Sequence, residues 1–246
     1  MTAPTASTKG LPRHIAVIMD GNGRWATERG WPRVRGHEAG ADSVREIVRA
    51  CGEMGIDALT LYSFSTENWA RPDDEVQALM TLLASYLENE QSDLMENRVQ
   101  LRGIGEIDRL PAHVHVLLRQ AEKLTEHNDG LKLTLALSYG SRREIVDAVR
   151  RIADEVQHGT LDPSDIDETA VTERLYTAGI PDPDLLVRTS GEMRLSNFML
   201  WQLAYTELYV TDVYWPDFRR PHLEQALAAY AKRRRRFGQT DAQVAS

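Results

Sequence analysis

The chain is poor in cysteine: Cys51 is the single cysteine among 246 residues. An intramolecular disulfide is therefore excluded, and this cysteine usage suits a reducing compartment, so we expect a cytoplasmic protein. We predict that Cys51 is a small core residue in a helix rather than a nucleophile. Residues 1–10 lack the apolar core of a signal peptide, and no apolar run is long enough to span a bilayer. Any membrane contact is expected to be peripheral.

Several familiar phosphate and metal motifs are also missing. The chain contains no Gly-x-x-x-x-Gly-Lys-Ser/Thr loop, no Gly-x-Gly-x-x-Gly after a predicted strand, no Gly-x-Ser-x-Gly elbow and no Cys/His spacing typical of zinc sites. These absences argue against a P-loop module, a dinucleotide-binding enzyme and a serine hydrolase of the elbow type. The formal net charge is −8 and the pI is near 5.4, so nucleic acid is not an expected partner.

The chain does contain apolar runs of β type that alternate with amphipathic helical segments. The predicted strands are His14–Asp20, Ala58–Phe64, Val99–Ile104, Lys132–Tyr139, Asp184–Thr189 and Glu207–Thr211. The predicted helices are Gly36–Met54, Asp74–Asn97, Pro111–His127, Arg142–Gln157, Ser164–Ala178 and Pro221–Arg236. This alternation predicts one α/β domain with a central, mostly parallel six-stranded sheet flanked by helices. We place the domain at residues 13–238, between a flexible leader at 1–12 and a polar tail at 239–246.

Polar side chains follow the predicted strands. The first strand ends in Asp20-Gly21-Asn22-Gly23-Arg24, which offers a carboxylate for a hard cation, glycines for close backbone approach and a guanidinium for phosphate. Further polar residues follow the same strand or the other strands: Arg33, Arg35, His37, Ser65, Glu67, Asn68, Trp69, Arg71, Glu75, Arg188, Ser190, Glu192, Arg194, Ser196 and Asn197, and Glu207 lies near the sixth strand. The carboxyl ends of parallel strands share one edge of the sheet, so we expect these side chains to converge. A diphosphate with Mg²⁺ would balance the clustered arginines.

Each of these residues also has a purely structural interpretation. Asp20–Arg24 has the composition of a tight turn, and His37 has the position of a helix cap. Trp69 has the character of a core aromatic, Arg71 that of a surface arginine, and a surface Arg188–Glu192 ion pair would contribute little. The structural interpretation suits any single residue, whereas the recurrence of such residues at strand ends favours an anion-binding site.

The chain closely resembles the cis-prenyltransferases, the undecaprenyl diphosphate synthase family, over about residues 12–238. Long motifs carry the resemblance in the same order along the chain. They are His14-Ile-Ala-Val-Ile-Met-Asp-Gly-Asn-Gly-Arg-Trp-Ala26, Gly36-His37-x-x-Gly40, Leu59-Thr-Leu-Tyr-Ser-Phe-Ser-Thr-Glu-Asn-Trp69 with Arg71-Pro72, Arg188-Thr-Ser-Gly-Glu192 with Arg194 and Ser196-Asn-Phe198, and Trp201 through Glu207 to Trp215-Pro216. The resemblance implies Mg²⁺-dependent cis-condensation of isopentenyl diphosphate onto an allylic diphosphate primer of the farnesyl type.

The resemblance also implies roles for individual residues. Asp20 would bind Mg²⁺ and help release the allylic diphosphate, Glu207 would lie near the metal, and Asn68 would assist at C2 of isopentenyl diphosphate. The allylic diphosphate would be held by the backbone from Gly21 to Arg24 and by Asn22, Arg24, Arg33 and His37. Isopentenyl diphosphate would be held by Arg188, Arg194 and Ser196. The predicted substrate-binding set is completed by Gly21, Gly23, Trp25, Ser65, Glu67, Trp69 and Arg71, and a segment with Phe64, Trp69, Arg71 and Glu75 would close on substrate.

A growing polyprenyl chain needs apolar space. The segment Asp74–Leu87 is apolar on more than one side, which is typical of core packing. The resemblance places a hydrophobic tunnel between helices and sheet against this helix and Gly36–Met54, with Leu131 near its floor. Small Ala78, Ala84 and Ser85 would leave room for a long product, such as the undecaprenyl precursor for cell-wall synthesis.

The chain departs from the family in one turn, where Ser138-Tyr-Gly-Ser-Arg142 replaces the frequent Asn-Tyr-Gly-Gly-Arg. This change affects expectations about product specificity and not about the reaction. A short-chain or branching synthase of specialised metabolism stays an alternative. A noncatalytic partner subunit is disfavoured because such a subunit would be expected to lack the aspartate at position 20.

Two expectations concern assembly. The resemblance implies a homodimer. The basic run 232–236 suits the negative end of a helix dipole, and it would also attract an anionic lipid surface.

Overall fold

The structure is a computed structural model that describes residues 10–233. A six-stranded sheet in the order β3-β4-β2-β1-β5-β6 forms its centre, and every neighbouring pair is parallel. The strands are β1 (His14–Ile18), β2 (Ala58–Ser65), β3 (Gln100–Ile104), β4 (Lys132–Tyr139), β5 (Leu185–Arg188) and β6 (Glu207–Val210). The predicted single α/β architecture is confirmed.

Helices connect the strands. They are α1 (Asn22–Glu28), α2 (Arg33–Met54), α3 (Asp73–Asn89), α4 (Gln91–Glu96), α5 (Ala112–Thr125), α6 (Ser141–Gln157), α7 (Glu168–Thr172) and α8 (Arg220–Ala231). Short 3₁₀ helices include Thr66–Ala70, which directly follows β2. Among residues 10–233, no helix is long and apolar enough to cross a membrane.

Strand β1 is buried along its whole length and separates two apolar clusters. Ile15 and Val17 face the cluster that includes residues of α2, α3 and α5. Ala16 and Ile18 face the opposite cluster, which includes Phe198. Successive side chains of a strand point to opposite faces, and a parallel sheet covered on both faces needs apolar residues at every position. The sequence His14-Ile-Ala-Val-Ile18 meets that requirement.

The sheet is arranged so that β1 has β2 on one side and β5 on the other. At its carboxyl end, Ile18 pairs with Tyr62 of β2 and with Arg188 of β5. The connection from β1 leads to β2 on one side of β1, whereas β5 lies on its other side. Where the connections of neighbouring parallel strands run to opposite sides, a crevice forms beyond the strand ends, and α/β proteins bind ligands there.

Several predicted boundaries were wrong. The helix predicted at Asp74–Asn97 is divided at Glu90, whose buried carboxylate binds Arg45 at 2.6 Å. The helix predicted at Ser164–Ala178 is reduced to Glu168–Thr172, because Asp167 caps a new helix by accepting a hydrogen bond from the N–H of Ala170. Helices α1 and Thr66–Ala70 were not predicted.

Some predictions fall on residues that the structure does not describe. Residues 1–9 of the predicted leader and the predicted tail at 239–246 lie outside the described residues. So does the part of the predicted last helix at 234–236, which contains most of the basic run.

Candidate active site

The site is centred on Asp20 and Arg188, which follow β1 and end β5. An Nη of Arg188 donates a hydrogen bond to Asp20 Oδ2 at 2.8 Å, and the Arg188 side chain is 4% exposed. The other Nη donates to Ser196 Oγ at 2.8 Å and to the carbonyl oxygen of Arg194. Arg188 Nε is buried and has no hydrogen-bond partner. The arginine is therefore held in place with one donor unused, although buried donors normally have partners.

The backbone of Asp20 is fixed by Thr189. The Asp20 N–H donates to Thr189 Oγ1 at 2.8 Å, and the Thr189 hydroxyl donates to the Asp20 carbonyl at 2.7 Å. Gly21 follows with φ of 101°, and its N–H donates to Asp20 Oδ1 at 2.7 Å. Glycine tolerates this left-handed conformation, which directs the chain into α1.

Arg24 lies on α1 beside the same carboxylate. Its guanidinium is 3.6 Å from Asp20 Oδ1 and 3.1 Å from Glu192 Oε1, and it donates to Ser190 Oγ. The ring of Tyr214 lies 5.7 Å from the guanidinium carbon. These contacts join α1 to the segment after β5.

A second charged cluster surrounds Glu75 of α3. Glu75 binds Arg33 of α2 at 3.1 Å and Arg71 at 2.9 Å, and His37 Nε2 lies 3.6 Å from its Oε1. Burial and the nearby charge of Arg71 together lower the pKa of His37 to about 4, so the imidazole is neutral near pH 7. Burial raises the pKa of Glu75, but the hydrogen bond from Arg33 and the charges of Arg71 and Arg33 together lower it below its usual value, so it is ionised and opposes two arginines.

The first of two neighbouring cavities has a volume of about 500 Å³. Its polar part includes Asp20, Arg24, Arg33, His37 and Arg194. Its apolar part lies between α2, α3 and the sheet and is lined by Ala41, Val44, Leu61, Leu79, Leu82, Leu83, Tyr86 and Leu135. We call it the main cavity. Leu131 is buried in the core and is not part of its lining.

The second cavity has a volume of about 530 Å³, and most of its lining residues are polar or charged. Its polar and charged lining residues are Asp20, Ser65, Glu67, Asn68, Arg71, Arg188, Arg194, Ser196 and Asn197. Asp20, Asn68, Arg71 and Arg194 also line the main cavity. The two cavities therefore share a wall that carries charged groups of both signs.

Most of the predicted site residues are brought together by the fold. Those that line at least one cavity are Asp20, Gly21, Asn22, Gly23, Arg24, Arg33, His37, Ser65, Glu67, Asn68, Arg71, Arg188, Arg194 and Ser196. Asn22 Oδ1 is buried without a hydrogen-bond partner. Gly40 leaves room for it, because a Cβ there would lie 2.5 Å from this oxygen.

Trp25 and Trp69 line neither cavity. Trp25 packs against Trp31 and stacks under Arg29, whose guanidinium carbon is 4.1 Å from its ring. Trp69 packs on Phe64, and its Nε1 donates to Ser138 Oγ at 2.9 Å. Their direct contacts are structural, and Trp69 links the segment after β2 to β4.

Ser138 and Ser141 are the positions at which the sequence departs from the family. Ser138 Oγ accepts the hydrogen bond from Trp69, and Ser141 Oγ accepts a hydrogen bond from Leu200 N–H at 2.9 Å. Both serines therefore fix neighbouring segments of the chain.

Within this chain, Glu207 does not lie at the edge of the sheet that carries Asp20. This corrects the expectation that the two carboxylates share one edge. Glu207 begins β6 and pairs with Leu185, the first residue of β5, whereas Asp20 follows the last residue of β1. Its carboxylate binds Arg233 at 2.7 Å. The prediction failed because Glu207 is the first residue of its strand, whereas the residues that follow parallel strands reach the carboxyl edge.

Two residues of the site were missed. Thr189 could have been predicted from the local sequence, since it directly follows Arg188 at the end of a strand. The local sequence could not predict Tyr214, because this residue contacts Arg24 and lies against Gly21 from a distant loop.

Comparison with known proteins agrees with this geometry. Residues 18–238 match the family model described as putative undecaprenyl diphosphate synthase. The chain belongs to this prenyltransferase family. It is therefore an enzyme of the transferase class, and the resemblance seen in its motifs is confirmed.

Relatives of the prenyltransferase span nearly its whole length. An isoprenyl transferase of Porphyromonas gingivalis is 52% identical over 235 residues, which cover 96% of this chain and 92% of the relative. A ditrans,polycis-undecaprenyl-diphosphate synthase of Aliivibrio fischeri, described as specific for (2E,6E)-farnesyl diphosphate, is 50% identical over 95% of this chain and 91% of its own.

Solved structures of the same fold include a plant enzyme. Lavandulyl diphosphate synthase from Lavandula x intermedia, in complex with dimethylallyl diphosphate, superposes with a TM-score of 0.92 at 40% identity, over 94% of this chain and all of its own. A probable undecaprenyl diphosphate synthase from Campylobacter jejuni superposes with a TM-score of 0.77 at 33% identity, over 93% of this chain and 99% of its own.

Proposed function

We propose that the enzyme condenses isopentenyl diphosphate units in cis onto an allylic diphosphate primer of the farnesyl type, in a Mg²⁺-dependent reaction that yields a long polyprenyl diphosphate. One observation carries the proposal: two arginine-lined cavities share a wall at Asp20, and one of them continues into apolar space. Two diphosphates and a growing hydrocarbon need this combination of charge and apolar volume.

The apolar space supports an assignment of the two proposed substrates to the two cavities. The hydrocarbon of the allylic diphosphate lengthens at each step, so this substrate belongs to the main cavity, with its diphosphate near Arg24, Arg33 and His37. Isopentenyl diphosphate is consumed as a short unit and belongs to the second cavity, near Arg188, Arg194 and Ser196. Arg188 Nε and Asn22 Oδ1, which are buried without partners, are polar atoms available to a ligand or its water.

Asp20 is the residue that fits Mg²⁺. Within residues 10–233 no group of three or more His, Cys, Asp or Glu side chains is placed to hold a metal by itself. Magnesium is commonly bound through one or two carboxylates together with substrate phosphates, and Asp20 offers one carboxylate on the wall that both cavities share. Bound there with a diphosphate, Mg²⁺ would supply positive charge that stabilises the leaving group.

The remaining chemistry depends on charge and position. When the allylic C–O bond breaks, negative charge develops on the departing diphosphate, and fixed guanidinium groups such as Arg24 and Arg33 stabilise it. The new carbon–carbon bond then forms between the allylic carbon and the double bond of isopentenyl diphosphate, and a proton leaves C2. Neighbouring cavities hold the two carbons together and reduce the entropic barrier.

Asn68 is proposed to orient the isopentenyl group at the shared wall. It lies in the 3₁₀ helix Thr66–Ala70 that follows β2, and its Oδ1 accepts a hydrogen bond from the N–H of Ser65 at 3.0 Å. This capping contact fixes the side chain between the cavities, which suits orientation of a substrate. From that position, Asn68 would assist proton loss or orientation at C2 of isopentenyl diphosphate.

A second candidate is a short-chain or branching synthase, which the similarity to lavandulyl diphosphate synthase favours. Product size separates the two candidates. Purified enzyme is incubated with Mg²⁺, farnesyl diphosphate and labelled isopentenyl diphosphate, and the products are sized. Successive additions support the long-chain proposal, one addition supports the second candidate, and no incorporation with farnesyl or dimethylallyl diphosphate contradicts both.

A homodimer is proposed for the assembly. Strand β6 is the last strand of the sheet, and Tyr205 and Leu208 near it are exposed. Exposed apolar edge strands are surfaces on which chains pair. Light scattering measures the oligomeric state of wild type and of Leu208→Lys. We expect a dimer for wild type and a weaker dimer for the variant, and a monomeric wild type would contradict the proposal.

Cytoplasmic location and peripheral membrane contact are likewise proposals, checked by fractionation of cells that express the full chain.

A further inference from the structure

Asn197 occupies a junction between three segments of the site. Its Nδ2 donates a hydrogen bond to Glu67 Oε1 at 2.9 Å, in the segment after β2. Its Oδ1 accepts from the N–H of Arg142 at 2.9 Å, and its carbonyl oxygen accepts from the N–H of Ser141 at 2.8 Å. Ser141 and Arg142 begin α6. One side chain thus joins the segments that follow β2, β4 and β5.

The direction of the Asn197 amide is fixed by its partners. A backbone N–H can only donate, so the atom that faces Arg142 must be the oxygen. The nitrogen then faces the Glu67 carboxylate, which can only accept when ionised. Although burial raises the pKa of Glu67, the hydrogen bond from Asn197 together with those from Ser65, Thr66 and its own backbone lowers it below its usual value. Both contacts of the side chain are therefore satisfied in a single orientation.

The backbone at this point adopts a conformation that most residues avoid. Asn197 has φ of 59° and Ser196 has φ of 49°. Asparagine tolerates the left-handed region better than most non-glycine residues, whereas serine there is uncommon. Such strained positions persist where surrounding contacts hold them. The three hydrogen bonds of Asn197 are among the contacts that hold this turn.

The same turn carries Ser196 to Arg188. Ser196 Oγ accepts a hydrogen bond from Arg188, and the Ser196 carbonyl accepts one from Tyr62 OH at 3.2 Å. Glu67 and Asn197 both line the second cavity, one on each bounding segment. Their hydrogen bond therefore joins the two sides of the cavity that we assign to isopentenyl diphosphate.

We propose that Asn197 is a positioning residue, which sets the second cavity by linking Glu67 on one side to Ser196 and Arg188 on the other. The assignment of the ligand rests on the proposed function. The link predicts that loss of the Asn197–Glu67 contact frees the segment 65–71 and misplaces Ser196. The affinity for isopentenyl diphosphate then falls more than the rate of the chemical step.

The first test adds a negative charge at position 197 and then removes the one at position 67. Asn197→Asp keeps an oxygen for Arg142 and the left-handed preference, but it places a second carboxylate against Glu67. We expect the KM for isopentenyl diphosphate to rise about tenfold, a coupling typical of contacting residues, with kcat within about twofold of wild type. Glu67→Gln in the same chain restores a donor and should recover most of the loss. Asn89→Asp on α3, outside both cavities, is the matched control.

The second test has a readout besides activity. Amide hydrogen exchange of the full chain should become faster at residues 65–71 and at Ser141 and Arg142 in Asn197→Asp, and should return toward wild type in the double variant. Glu67→Ala leaves Asn197 and its two hydrogen bonds to α6 in place, so it tests the same link without changing position 197. It should also accelerate exchange at 65–71.

The outcomes are distinguishable. If wild type incorporates no isopentenyl diphosphate, the proposed function fails, and the exchange experiment still tests the link. If wild type is active but Glu67→Gln and Asn197→Asp act additively on KM, the positioning role is overturned. Unchanged exchange at 65–71 in Glu67→Ala and in Asn197→Asp overturns it as well.

Discussion

Arg188 and Asp20 face one another across the carboxyl ends of β5 and β1, with 2.8 Å between the guanidinium nitrogen and the carboxylate oxygen. Arg188 is buried, whereas the Asp20 side chain is 29% exposed and reaches both cavities. The pair keeps a buried positive charge balanced while it leaves carboxylate surface open to the cavities. The exposed oxygen surface is where we propose that Mg²⁺ and diphosphate bind.

The first prediction concerns this carboxylate. Asp20→Asn retains an oxygen that can accept from Arg188 but removes the negative charge that a cation needs. We expect kcat to fall by about 10²–10³-fold, as for loss of one preorganised electrostatic group, and the melting temperature to fall as well, because buried Arg188 loses the charge that balances it. Steady-state kinetics and circular dichroism measure the two effects. Asp57→Asn, at an exposed ion pair with Arg13, is the control and should keep full activity. Near-wild-type turnover in Asp20→Asn would disprove the metal assignment.

The second prediction separates binding from folding at Gly23. A Cβ at Gly23 would lie 2.5 Å from the guanidinium carbon of Arg33, which is the far end of a flexible side chain. Gly23→Ala should therefore displace Arg33 without unfolding α1, and the KM for the allylic substrate should rise about tenfold.

Gly52 supplies the matched control for that substitution. It lies within α2, and a Cβ there would meet no atom within 4 Å. Gly52→Ala should leave kinetics unchanged and raise the free energy of unfolding by about 0.5–1 kcal/mol, because alanine favours the helix. Urea denaturation measures this change. Equal kinetics in Gly23→Ala and wild type would show that Arg33 does not hold the primer.

The third prediction concerns product length. Tyr86 lines the apolar end of the main cavity and also a small surface cavity beside Arg45, Arg49 and Glu90. Its ring therefore separates the apolar space from the surface. Tyr86→Ala should lengthen the products and Tyr86→Trp should shorten them, as sized by chromatography of labelled polyprenols. Leu124→Ala, exposed on α5, is the control. Identical product distributions for all three variants would place the length limit elsewhere.

The fourth prediction is a pH dependence of stability. Burial lowers the pKa of His14 to about 4 from its ordinary value of 6.5. Its Nδ1 donates to the Pro181 carbonyl at 2.6 Å, so the neutral ring accepts from Thr60 at its other nitrogen. The unfolded state binds more protons between these two pKa values. The free energy of unfolding should therefore be constant above about pH 7 and fall by on the order of 2 kcal/mol by about pH 4.5.

Urea unfolding across that pH range checks the effect. His14→Asn keeps a donor for the Pro181 carbonyl but does not titrate, so it should lower stability near pH 7 and flatten the pH dependence. His127→Asn, at an exposed position, should leave the dependence as in wild type. An equally steep dependence in His14→Asn would assign the effect to other groups, of which buried His37 is the next candidate.

Local patterns predicted the strands well, because β1 and β4 are buried on both faces and must be apolar at nearly every position. They predicted helix ends less well. The helix divides at Glu90, whose carboxylate binds Arg45, which lies 45 residues away along the chain. Asp20, Arg188 and Ser196 were predicted to lie together because residues that follow parallel strands meet at one edge, and the fold brings them together. Glu207 was misplaced because it is the first residue of its strand.

The sequence by itself determined the family, the parallel sheet and the residues that carry charge at the strand ends, because motif order and apolar periodicity are local properties. Tertiary structure alone decided that the charged residues line two cavities with a common wall at Asp20, and that the main cavity extends into apolar space between α2, α3 and the sheet. It also decided the contact of Asn197 with Glu67, which are 130 residues apart. Distances of this kind depend on how strands and helices pack, and no local pattern specifies them.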